Sequence, residues 1–136
     1  MKLFQQKSVI EKYDDVKSFV EAYNIGADDF ILATKRIYET CFAPLNLKAH
    51  VEYKSKYGSG EPTDVMIDAL LEDFRQGDYK RIIAIGGGAV IDMAKILVLN
   101  GEAKAESYYR KEVPLRKVRT LLAVPTTCGA GSEVSN

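Results

Sequence analysis

The chain has 136 residues, enough for one domain with a proper core. Its nineteen basic and nineteen acidic residues cancel, which gives no electrostatic case for nucleic acid or an anionic membrane as partner. No apolar run approaches the roughly 20 residues of a membrane span, and the opening MKLFQQKSVIEKYDD lacks the long apolar stretch of a signal peptide. Cys41 and Cys128 are too few for a disulfide scaffold and wrongly spaced for a metal site, so a cytoplasmic protein is expected.

Along the chain, the pattern alternates between strand and helix. A first strand around residues 2–5 would leave an edge that could pair across a homodimer. Residues 14–23 carry Val16, Phe19, Val20 and Tyr23 at helical spacing. DFILA at 29–33 reads as a short buried strand, and 35–42 as a short helix that ends before Pro44. A second strand is expected at 49–53. The turn formers of YGSGEPTD at 57–64 follow, with Pro62 suited to a first helical turn. Residues 65–74 then place Met66, Ala69, Leu70 and Phe74 on one helical face, with Gly77 as the stop. RIIAI at 81–85 is an unbroken apolar strand, as a sheet covered on both faces requires. Residues 88–99 form a helix that is apolar nearly all round, and TLLAV at 120–124 is another buried strand. This order predicts an α/β fold with a doubly wound, mainly parallel sheet of the Rossmann-like kind.

Two turns carry the chemistry. Gly86, Gly87 and Gly88 join a buried strand to a helix. Glycine lacks a Cβ, so phosphate oxygens can reach the backbone N–H groups, and the first turn of a helix offers unpaired N–H groups and a positive dipole end. The spacing is not G-x-G-x-x-G, so three glycines alone also fit a tight turn without ligand. VPTTCGAGSE at 124–133 again follows a buried strand and offers the Thr126, Thr127 and Ser132 hydroxyls. Ligands bind beyond the carboxyl ends of strands in such sheets, so both turns could grip one pyrophosphate.

At these residues the sequence resembles the iron-containing (group III) alcohol dehydrogenases. GGGAVIDMAK at 86–95 resembles that family's GGGSxxDxAK, and PTTCGAGSEVSN at 125–136 its PTTxGTGSEVT. GEPTD at 60–64 falls where the family has an NPT turn, and the runs at 57–74 and 81–97 look most like its 4-hydroxybutyrate dehydrogenases. The resemblance implies an N-terminal dinucleotide-binding α/β domain, of which residues 1–136 would be the front part. It further implies a helical domain absent from this chain, holding Fe2+ through one Asp and three His. The metal polarises the alcohol, and hydride passes to the nicotinamide. The sole histidine, His50, matches none of the metal positions. No catalytic or metal-binding residue is therefore expected in this chain, and alone it should not turn over an alcohol or aldehyde substrate.

The same resemblance assigns binding roles. Gly86, Gly87 and Gly88 fall on the pyrophosphate turn, with Ala89 where the family has Ser. Asp92 matches the motif's Asp, although pairing with Lys95 at i,i+3 accounts for it equally well. Thr126 and Thr127 match paired threonines around the nicotinamide and ribose, and Ala130 replaces a Thr. Thr34 stands where many members carry an Asp for the adenosine ribose. A threonine does not repel a 2′-phosphate, and Lys35 and Arg36 follow it. NAD is the expected cofactor, with NADP left open. A glycerol dehydrogenase-like relative and a non-catalytic phosphate-binding module remain the alternatives.

The other residues read more plainly. Cys128 lacks a nearby base in sequence, Cys41 reads as a small helix residue, and His50 as a surface or satisfied polar group. Arg110, Lys111, Arg116, Lys117 and Arg119 read as a solvated connection.

Overall fold

The computed structural model describes residues 10–99, 117–124 and 132–135. Among these residues six strands form one sheet: β1 (Ile10–Tyr13), β2 (Asp29–Ala33), β3 (His50–Tyr53), β4 (Arg81–Ile85), β5 (Thr120–Val124) and β6 (Ser132–Ser135). Four α-helices among the described residues accompany them: α1 (Val16–Tyr23), α2 (Lys35–Cys41), α3 (Asp64–Phe74) and α4 (Gly88–Leu97). The order across the sheet is β1-β6-β5-β4-β2-β3. The four strands β3, β2, β4 and β5 are parallel, and β6 and β1 close one side antiparallel. The expected doubly wound, mainly parallel sheet is present. The predicted strand around residues 2–5 lies outside the described residues.

Side-chain alternation sorts the core into two layers. Phe30, Leu32, Ile82, Ala84 and Leu121 point to one face, where they meet Met66, Ile67, Leu70, Leu71 and Phe74 of α3 and Val90, Met93, Ala94 and Leu97 of α4. Ile31, Ala33, Ile83, Ile85, Leu122 and Val124 point to the other, against Val16 and Phe19 of α1 and Ile37 and Tyr38 of α2. Such double coverage is why the three central strands read as unbroken apolar runs. From β2 the chain moves outward through α2 to β3, then returns through α3 to β4 on the other side of β2. The order therefore reverses between β2 and β4, and a crevice at their carboxyl ends follows.

Several boundaries differ from the sequence expectation, each for a local reason. Asp15 caps α1, its carboxylate accepting the Ser18 N–H at 2.7 Å, so the helix starts at Val16 and residues 10–13 are a strand. Pro62 precedes the cap of α3 rather than opening the helix, because Thr63 accepts the Met66 N–H at 3.2 Å. Ala69 is exposed, and Ile67 and Leu71 fill the face assigned to it. Helix α4 stops at Leu97, short of the expected Leu99, because Arg119 reaches its end. The guanidinium donates to the carbonyls of Leu97 at 3.1 Å, Leu99 at 3.0 Å and Tyr79 at 3.0 Å, and lies 4.9 Å from the Phe74 ring centre. Arg119 is thus a helix-end ligand rather than part of a solvated basic cluster. His50 opens β3, exposed and bonded to Glu52 at 2.7 Å, as expected of a satisfied polar group.

The amino ends of β2 and β4 are locked by an ion pair. Asp29, 2% exposed, faces Arg81 across the parallel register. Arg81 donates Nε to Oδ1 at 2.6 Å and Nη2 to Oδ2 at 2.9 Å. The spare valences are filled, since Asp29 Oδ2 accepts the Gly26 N–H at 2.8 Å and Arg81 Nη2 donates to the Tyr23 carbonyl at 2.8 Å. Removing one partner leaves the other desolvated and unpaired. Asp29→Ala should therefore lower unfolding free energy by about 3–5 kcal/mol, measured by urea denaturation. The Asp29→Leu, Arg81→Met double variant should recover much of that loss. If the single variant unfolds at the parent's midpoint, this pair does not hold the strands.

Candidate functional site at the carboxyl ends of the strands

At the opposite end, the ladder runs one residue past the strands. Thr34 donates its N–H to the Ile85 carbonyl at 2.8 Å, and Gly86 donates to the Val124 carbonyl at 3.1 Å. The chain thus leaves β2, β4 and β5 at one level, with Thr34 and Gly86 side by side at the point where the strand order reverses. Gly86 is fully buried with φ +154°, and a Cβ there would lie 2.6 Å from Thr34 Oγ1 and 2.9 Å from Val90 Cγ2. Packing alone demands a glycine at this position.

The next two glycines differ. Gly87 is the N-cap of α4 and supplies no side-chain hydrogen bond, whereas α1 and α3 are capped by Asp15 and Thr63. Gly88, the first helical residue, is exposed, and a Cβ there would meet nothing within 4 Å. Packing among the described residues therefore does not require glycine at Gly88. Ala89 is half-buried beside it. The leading N–H groups of α4 have no acceptor within the helix, at its positive dipole end.

Thr34 is half-buried and is the N-cap of α2, yet its hydroxyl does not cap the helix and makes no hydrogen bond among the described residues. It stands between the glycine turn and a cleft of about 310 Å³ lined by Thr34, Lys35, Arg36, Lys54, Ser55, Gly58 and Ser59. The far wall of the cleft follows β3. Lys54 Nζ donates to the carbonyls of Gly58 at 3.0 Å and Gly60 at 2.7 Å. Lys56 bridges Glu52 at 3.1 Å and Asp73 at 3.0 Å, and Tyr57 donates to Asp73 at 2.7 Å. Burial pushes the Asp73 carboxyl up, but the Tyr57 and Lys56 hydrogen bonds outweigh it and leave the group below its ordinary value. The turn after β3 is thereby fastened to α3.

The structure brings together Thr34, Gly86, Gly87, Gly88 and Ala89. Asp92, one turn into α4, is exposed and 3.5 Å from the Lys95 ammonium. Thr126, Thr127 and Ala130 lie outside the described residues, although Val124 delivers the chain to the glycine turn. Sequence reasoning missed Lys54, Ser55 and Ser59. They carry no local signal, because they reach the cleft only through the parallel pairing of β2 with β3, which sets residues just after each strand along one crevice. No group of three or more His, Cys, Asp or Glu among the described residues could hold a metal ion, so the described part of the chain offers iron no seat. No helix among them is long and apolar enough to cross a membrane.

Comparison with known proteins agrees with this architecture. The chain is 41% identical over all 136 residues to the 4-hydroxybutyrate dehydrogenase of Clostridium kluyveri, spanning 37% of that protein's length. It is 38% identical over 84 residues to an alcohol dehydrogenase of Thermococcus barophilus, a match covering 55% of this chain and 22% of that one. Among solved structures, the sulfoacetaldehyde reductase of Bifidobacterium kashiwanohense in complex with NAD+ superposes with a TM-score of 0.61. That match is 21% identical and covers 84% of this chain and 32% of the other, and it shows a shared fold. The family model for the iron-containing alcohol dehydrogenases matches residues 2–136. With the glycine turn at the strand switch and this match along nearly its whole length, the chain belongs to the iron-containing alcohol dehydrogenase family.

Proposed function

We propose that the chain is the NAD-binding part of an alcohol dehydrogenase that interconverts 4-hydroxybutyrate and succinate semialdehyde. One observation carries the binding claim. The glycine turn meets Thr34 at the reversal of strand order, and Gly88 stays open where the fold makes no demand on it. The full-length identity to a 4-hydroxybutyrate dehydrogenase supports the choice of alcohol.

Each residue's part follows from its position. Gly87, Gly88 and Ala89 present main-chain N–H groups to a pyrophosphate, aided by the dipole of α4. Thr34 presents to the adjoining ribose a hydroxyl that makes no hydrogen bond among the described residues. NAD held there would supply the hydride acceptor for oxidation of the alcohol. The chain's own contribution is to fix the dinucleotide at the sheet edge and hold its reactive end in one orientation. The alcohol and any iron would be held by residues other than those described.

Two glycine variants separate a ligand role from a purely structural one. Gly86→Ala forces a side chain into a strained backbone and against Thr34 and Val90, and should cost about 1–3 kcal/mol of stability. Gly88→Ala enters open space at a helical position and should raise stability by about 0.4–1 kcal/mol. It should nevertheless weaken NAD binding about tenfold or more by crowding the phosphate, as read by calorimetry. Unchanged NAD affinity in Gly88→Ala would mean that the turn is structural only.

Turnover gives the second test. The intact gene product should reduce NAD with 4-hydroxybutyrate as substrate, and a strong metal chelator should abolish that activity. The chelated protein should still bind NAD, because no metal cluster lies among the described residues of the dinucleotide site. Loss of NAD binding together with the metal would contradict the proposed division of labour.

A further inference from the structure

Cys41, the last residue of α2, is half-buried and disulfide-bonded. It has no part in the dinucleotide site described above. The only other cysteine in the 136 residues is Cys128, which lies outside the described residues. An intrachain bond from Cys41 therefore has one available partner. Cys41 packs against the same apolar layer as Val124, the last residue of β5, and Cys128 follows Val124 by four positions in sequence. Four residues reach up to about 14 Å when extended. The two buried layers already supply a core, so the bond is not needed as a framework. Where thiols are kept reduced, a disulfide outside a framework is ordinarily transient or redox-sensing.

Position decides what such a bond would sense. Helix α2 joins the carboxyl end of β2 to the amino end of the parallel strand β3, so it runs back down the sheet. At about 1.5 Å per residue, Cys41 lies about 10 Å along the helix from Thr34, which touches the glycine turn. Cys128 stands in sequence between Thr127 and Gly129 of PTTCGAGSE, the second of the two turns expected to grip the dinucleotide. A bond from Cys41 to Cys128 ties that second turn toward the far end of α2, away from Gly86, Gly87 and Gly88. Two thiols impose no such tie.

We propose that Cys41 and Cys128 form a reversible disulfide that weakens dinucleotide binding when it is oxidised. This rests on the dinucleotide reading above and adds a redox control to it. The oxidant is the disulfide of a small thiol, such as glutathione disulfide. The thiolate of one cysteine attacks the oxidant's S–S bond, which forms a mixed disulfide and releases one small thiol. The thiolate of the second cysteine then displaces the other small thiol and closes the bond between Cys41 and Cys128. Two electrons pass to the oxidant, and the two cysteine protons end on the two small thiols released. Binding and oxidation oppose each other reciprocally: a dinucleotide that favours the dithiol makes the disulfide harder to form by the same factor.

The test uses the intact gene product, equilibrated either with glutathione or with glutathione disulfide. Peptide mapping without reduction should find the Cys41 peptide joined to the Cys128 peptide in the oxidised sample and not in the reduced one. Calorimetry should give NAD binding about tenfold weaker in the oxidised form. Saturating NAD should move the half-oxidation point to more oxidising glutathione mixtures by the same factor. Cys41→Ser should bind NAD as the reduced parent does and lose the response to oxidant. Cys41→Ala replaces it if the serine variant does not fold, and the two forms of the parent decide the matter without either. Cys41 found unlinked after oxidation, or joined to another copy of the chain or to a different cysteine, overturns the proposal. Equal NAD affinity in both forms overturns it as well and leaves the dinucleotide reading standing. Absence of NAD binding in either form overturns that reading and the redox control with it.

Discussion

The contact between Thr34 and Gly86 is the constraint on which the rest of the site depends. Parallel pairing of β2 with β4, and of β4 with β5, carries the hydrogen-bond ladder one residue beyond the strands, to Thr34 and Gly86. At that level a side chain on Gly86 would collide with Thr34 and Val90, so the backbone turns there through a conformation open mainly to glycine. The turn aims the first residues of α4 at the crevice instead of along the sheet. Every assigned role follows from it: the exposed N–H groups, the unblocked approach at Gly88, and the continuity with the cleft beyond Thr34. The two glycines on either side of Gly87 therefore differ: packing requires the first, and the described residues place no such demand on the second.

The two ends of the same strands are built on opposite electrostatic plans. At the amino end, Asp29 and Arg81 neutralise each other, and their remaining hydrogen-bonding capacity is spent on Gly26 and Tyr23. A cleft of about 510 Å³ opens there as well, lined by Asn24, Gly26, Asp28, Asp29, Lys80 and Arg81 among others, but its charges are mixed and the central pair is satisfied. At the carboxyl end, among the described residues, Lys35, Arg36 and Lys54 form no ion pair and the Thr34 hydroxyl makes no hydrogen bond. Volume alone would favour the larger amino-end cleft. Unmet hydrogen-bonding and charge capacity favours the smaller one, and that capacity is what a ligand can fill.

Much of this was legible in the sequence, and the exceptions are instructive. The strands Asp29–Ala33, Arg81–Ile85 and Thr120–Val124 stand where their apolar runs put them, because burial on both faces writes itself directly into composition. The edge pair Ile10–Tyr13 and Ser132–Ser135 was not anticipated. Each is four residues long and exists through pairing with the other, a contact between chain ends that no local pattern records. The stop of α4 at Leu97 depended on Arg119, 22 residues further along the chain. In the site, Thr34 and the glycines were legible because turn chemistry is local. Lys54 and Ser59 were not, because they join the site only through the parallel pairing of β2 with β3.

Net charge illustrates how far composition reaches and where it stops. A balance of nineteen against nineteen leaves this chain without the net charge that draws a polyanion over long range. It says nothing about a single phosphate group, which senses charges within a few ångströms. There the outcome turns on which side chains are already paired. Glu52 and Asp73 are drawn to Lys56 and away from Lys54, because Lys56 sits on the solvent side of the turn with both acids in reach. Lys54 then finds carbonyl partners, which orient an ammonium without cancelling its charge. A neutral protein can in this way present a locally cationic cleft, provided that the turn after β3 distributes its two lysines unequally.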